Sequence, residues 1–125
     1  MKKNEAKCQT VFGHFLRQSK LTGAFELKYA GEKPLRISSV TPHQIASLLA
    51  VKRGQFHYKI PDSGVLLKLP FDCFSMYKQP ASVVVFYTKF FYIIDIDNFL
   101  NYSSKSLTRE QACQIAHQAI EYNPR

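Results

Sequence analysis

The chain has 125 residues, enough for one domain around a single hydrophobic core. Hydrophobic residues make up 46% and aromatics 14%, which excludes a disordered chain, and no run reaches the ~20 apolar residues of a membrane span. Lys and Arg total 17 against 9 Asp and Glu, a formal charge of +8, so a polyanionic partner is favoured, nucleic acid being the commonest.

The charged start MKKNEAKCQT has no apolar segment after it, so no secretory signal is expected. Residues 4–19 space Cys8, Val11, Phe12, Phe15 and Leu16 at three and four residues, which predicts an amphipathic helix. A strand is predicted over 24–30, with Phe25, Leu27 and Tyr29 on one face and Glu26 and Lys28 on the other. GEKPLRISSV reads as a basic loop. TPHQIASLLAVKRG then predicts a helix over 42–53, with Thr41 as N-cap, Pro42 in the first turn and Gly54 as terminator.

Strands are expected from 56 to 96. FHYKI alternates, PDSG signals a turn, and LLKLPFDCFSM is interrupted by Pro70. SVVVFYT and FFYIIDI predict a tight hairpin of buried strands around Lys89. TREQACQIAHQAIEY predicts a C-terminal helix over 108–122. The order of elements points to an α/β (α+β) fold, a central mixed β-sheet flanked by helices, as one domain over 1–125. Cys8, Cys73 and Cys113 are too scattered for a disulfide framework or a zinc site and read as reduced thiols of a cytoplasmic protein. The four His show no ligand spacing with them.

Taken alone, Glu26 and Lys28 read first as a solvated strand face and second as a carboxylate and ammonium held side by side on a rigid platform. Asp72 projects from the otherwise apolar LPFDCF, where a lone carboxylate is costly to bury without a cation or hydrogen bonds. Water at a strand end answers that cost. So does pairing with Glu26 as two hard oxygen ligands of Mg²⁺ or Mn²⁺. Asp62 in PDSG is a rival for Asp72, although Pro-Asp is common in turns for local reasons. Asp95 and Asp97 of IIDID share a strand face and offer another metal pair. Their simpler reading makes Asp97 the N-cap of a short helix and Asp95 a polar strand end.

FELK followed by PLRISSVTPHQIASLL resembles the segment in recombination-protein-U-type Holliday junction resolvases, where an E-x-K strand leads through a loop to a helix opening His-Gln-Ile. LPFDCF is similar to the Pro-x-Asp strand of the wider PD-(D/E)xK nuclease superfamily, and the combined pattern resembles small phage-encoded nucleases. The resemblance covers roughly residues 24–96. It implies a restriction-endonuclease-like fold and a Mg²⁺-dependent DNA endonuclease of recombination or repair. Glu26 and Asp72 would hold the metal, with the Leu27 carbonyl as a further ligand and Lys28 beside them to stabilise phosphate charge.

Glu5 resembles the extra helical acid of some resolvases, although an acid near a helix start also suits the helix dipole. Gln44 resembles the family's glutamine and equally completes a capping box with Thr41. In the family the Asp strand precedes E-x-K, whereas Asp72 follows Glu26 here, so either the acid reaches the site from a neighbouring strand, the favoured reading, or the site is degenerate. Lys33, Arg36, His43, Lys52 and Arg53 are candidate DNA contacts, expected to read backbone and shape. Four-way or other branched DNA is the expected partner, cut in the cytoplasm of a bacterial or phage-infected cell. A homodimer would match the symmetry of paired cuts, and no membrane association is expected. The alternatives are a restriction- or repair-like nuclease acting on ordinary duplex and a non-catalytic basic nucleic-acid binder.

Overall fold

The apolar spacing of KNEAKCQTVFGHFLRQS produces α1 (Lys3–Ser19) in the structure, a computed structural model that describes residues 3–60 and 71–123. The chain then forms β1 (Ala24–Gly31), a two-residue β2 (Leu35–Arg36), a short 3-10 turn (Ile37–Ser39) and α2 (Pro42–Arg53). β3 (Gln55–Lys59) and β4 (Cys73–Tyr77) follow, then β5 (Ala81–Tyr87) and β6 (Phe90–Asp95). The rest is α3 (Ile96–Asn101), β7 (Ser106–Leu107), α4 (Arg109–Ile115) and β8 (Gln118–Glu121).

The fold is α+β. Its central sheet has four strands in the order β1-β5-β6-β8 and is mixed: β1 runs parallel to β5, and the other pairs are antiparallel. Every residue of β5 is buried, as its continuous apolar run requires of an inner strand covered on both faces. Alternation sorts the side chains. Val84, Phe86, Phe91 and Ile93 meet Cys8 and Phe12 of α1. On the other face Val83, Val85 and Ile94 pack with Leu48 and Val51 of α2, Phe99 of α3 and Ala112 of α4. Each such side chain contributes about 1.5–3 kcal/mol of burial. Two two-stranded ribbons, β2-β7 and β3-β4, stand outside this sheet.

β1 lies at one end of the sheet, and among the described residues no strand pairs with its outer edge. Its start is fixed by Gly23, at φ 134, where the next amide, Ala24 N–H, donates to the Pro80 carbonyl at 2.9 Å. A Cβ on Gly23 would lie 2.3 Å from that oxygen, so this close approach of backbone to backbone requires glycine.

Helix α2 spans the expected residues, and the β5–β6 hairpin turns around Lys89, at φ 74. Two expectations need correction. The C-terminal helix stops at Ile115, and 118–121 instead pair with β6 as β8, satisfying backbone groups that β6 would otherwise leave open. The cap of α3 is Asp95, whose carboxylate accepts from Asp97 N–H, and Asp97 falls in the first turn. The expected turn at PDSG, with Asp62, and the LLKLP half of the interrupted strand lie outside the described residues. Among the described residues, no helix is long and apolar enough to cross a membrane.

Candidate functional site

A cavity of about 290 Å³ opens at the free edge of β1, where side chains from both sheet faces reach past the strand. α1 brings Glu5 and Gln9, β1 brings Glu26 and Lys28, and α2 brings Gln44. Glu26 and Lys28 share a face because they are two residues apart in an extended strand, and their charged ends are 3.6 Å apart. Their side chains are 29% and 21% exposed, so the ion pair sits in a wall of the molecule with water at one side.

Gln44 closes the expected capping box and, with a different atom, also reaches Glu26. Its Oε1 accepts from Thr41 N–H at 3.0 Å while Thr41 Oγ1 accepts from Gln44 N–H at 3.2 Å, which closes the capping box. Its Nε2 then donates to Glu26 Oε2 at 3.1 Å. The cap fixes the glutamine's rotamer, and the glutamine fixes the carboxylate. Leu27 also lines the cavity, together with three residues that the sequence reading did not place at a site: Gln9, Cys8 and Tyr29. Gln9 was discoverable, since it stands one helical turn after Glu5. Burial, with Glu5 second, pushes the Cys8 thiol up to about 11, so it stays protonated at neutral pH and serves as packing.

The expected meeting of Glu26 with Asp72 is not seen in this cavity. β4 pairs with β3 to build a separate ribbon, and Asp72 is exposed just before β4, its carbonyl accepting from Ile60 N–H at 2.7 Å. Asp72 lies outside the Glu26 cavity, and Glu5 is the second carboxylate there. Phe74, two residues beyond Asp72, does line an adjoining groove together with Glu26 and Gln44. Among the described residues, no three His, Cys, Asp or Glu side chains cluster as a metal-binding group.

The basic candidates divide. His43 lines the groove that adjoins Glu26. Lys33 is exposed in the turn after β1, and Arg36 is exposed on β2, lining a separate hollow with Lys105. Lys52 and Arg53 are engaged in ion pairs: Lys52 Nζ donates to Asp95 Oδ2 at 2.6 Å and to Asp97 Oδ2, and Arg53 also pairs with Asp97. The same contacts engage Asp95 and Asp97, removing them as a metal pair. Hydrogen bonds to Asp95 and then Asp97 raise the Lys52 ammonium above its ordinary range, and Lys52, then Arg53, hold the Asp97 carboxyl below its own. These four residues tie the end of α2 to the start of α3.

No protein-family model, curated protein or solved structure matches the chain.

Proposed function

We propose that the protein is a metal-dependent DNA endonuclease of the PD-(D/E)xK type, with a restriction-endonuclease-like fold, that hydrolyses phosphodiester bonds in four-way or other branched DNA. The observation that carries this reading is the convergence of Glu5, Glu26, Lys28 and Gln44 from three separate elements on one cavity of a strongly basic chain.

The donor set fits a hard divalent cation. Mg²⁺ and Mn²⁺ take carboxylate and carbonyl oxygens, and Mg²⁺ is commonly held by one or two carboxylates with water completing the shell. Glu26 and Glu5 would hold it, with the Leu27 carbonyl as a further oxygen. Asp72, exposed on the neighbouring ribbon and outside this cavity, is left out of the ligand set. A metal held in the cavity would supply polarisation of the scissile phosphate and a lowered pKa for a bound water. Lys28 supplies a fixed positive charge for the phosphate oxygens as negative charge gathers on them. Gln44 holds one oxygen of Glu26 by its amide and so restricts the carboxylate to one orientation.

The test is incubation with a labelled four-way junction and a matched linear duplex, in Mg²⁺ and in EDTA. Junction-selective, Mg²⁺-dependent cutting is the expected result. Equal cutting of both substrates assigns the protein to the duplex nucleases, and a mobility shift without cutting makes it a binder.

A further inference from the structure

The β3–β4 ribbon carries an aromatic face that the site chemistry leaves unused. Phe56 pairs with Met76 and Tyr58 with Phe74, so alternation puts all four on one side of the ribbon. Phe56 and Tyr58 stack with centroids 6.3 Å apart and planes 11° apart, and Tyr58 and Phe74 stack at 5.5 Å and 26°. Phe56 and Met76 are anchored against the core, but Tyr58 is 44% exposed and Phe74 38% exposed. A groove of about 390 Å³ runs from Phe74 and Phe56 past His43 to Glu26 and Gln44, joining these rings to the candidate site.

We propose that Tyr58 and Phe74 form a stacking platform for an unpaired base of the DNA that the Glu26 site acts on, an inference that takes its substrate class from the nuclease proposal above. Flat exposed rings accept the π-face of any base, and stacking of this kind is indifferent to sequence. An intact duplex keeps its bases stacked inside, whereas a branch point or single-stranded flank offers free ones. Charge favours this occupant over a second copy of the chain. β3 and β4 carry His57 and Lys59, Asp72 is exposed just before β4, and the chain's formal charge is +8, so on balance a second copy brings like charge and a polynucleotide brings opposite charge.

The experiment is a fluorescence-anisotropy titration of the full chain, in EDTA, with a labelled oligothymidylate and with a duplex of equal length. Tyr58→Ala and Phe74→Ala are each expected to weaken oligothymidylate binding about tenfold or more while duplex binding changes less than about twofold, and Tyr58→Phe keeps the wild-type affinity. Tyr58→Leu, which keeps apolar bulk and loses the aromatic face, gives the same reading if Tyr58→Ala does not fold. Equal losses on both probes, or no loss, overturn the platform. So does sedimentation showing a self-association that these substitutions abolish, which would make the face a contact between copies. EDTA separates the two proposals. A protein that never cuts yet loses single-strand affinity with the ring keeps the platform and loses the nuclease, and a cutting protein indifferent to the ring does the reverse.

Discussion

Gln44 is where local folding and site geometry meet, because one side chain closes the cap of α2 and grips Glu26. The two roles separate by mutation. Thr41→Ala removes the cap acceptor and is expected to cost about 1 kcal/mol of stability, read by thermal melting, with the Glu26 contact still available. Gln44→Ala removes both contacts and is expected to lower stability similarly and cleavage in addition. Gln44→Leu, which keeps bulk at that position, serves as its control. Lys28→Ala is expected to reduce Mg²⁺-dependent cleavage at least about 100-fold with junction binding retained, since in the proposed reaction the ammonium would act on charge that develops on the phosphate. Cleavage assays on Glu5→Gln and Asp72→Asn rank the two remaining acids; a large loss is expected for Glu5→Gln, which lines the cavity, and a small one for Asp72→Asn, which lies outside it. That Glu26 and Lys28 share a face was legible in the sequence because period-two spacing fixes it, whereas Glu5 entered only through the resemblance to resolvases. Where Asp72 falls was not legible, because it depends on which strand β4 chooses as partner, a long-range matter that no local pattern encodes.

At the level of elements, the ion cluster joining α2 to α3 gives a pH signature. The Asp97 carboxyl lies below its ordinary value of 3.8, so its contribution to stability is present above that value and is lost as the pH falls through the lowered folded-state one. Lys52 lies above its ordinary 10.5, so its contribution is complete below that value and fades as the pH rises through the raised one. Asp97→Asn is therefore expected to lower the melting temperature slightly at neutral pH. The difference should shrink in strong acid and in high salt, because these groups are solvent-screened. Gly23→Ala is expected to be far more damaging, about 1–3 kcal/mol or more, since a Cβ meets the Pro80 carbonyl at an unfavourable φ. Helix α2 could be read in advance because Thr41, Pro42, Gln44 and Gly54 all state its ends locally. The C-terminal segment was misread for the opposite reason. QACQIAHQAIEY satisfies a helical period as far as Ile115 and a strand period from Gln118 onward, and the choice is made by the open edge of β6.

On the scale of the whole molecule, a mixed sheet covered by α1 on one face and by α2, α3 and α4 on the other has two outer edges, at β1 and at β8, and the cavity opens at that of β1. That is where Glu5, Glu26, Lys28 and Gln44 converge, with the aromatic ribbon along the adjoining groove. DNA affinity measured against salt is expected to fall steeply on a log–log plot, with a slope near −0.9 for each phosphate neutralised on duplex. The most direct measurement is cleavage of a labelled four-way junction in Mg²⁺ by the wild-type chain and by Glu26→Gln at matched fold and junction affinity. Cutting by the first, abolished by EDTA and reduced at least about 100-fold in the second, is the expected result. Wild-type protein that binds the junction without cutting it, or a Glu26→Gln variant that cuts as well as wild type, would contradict it.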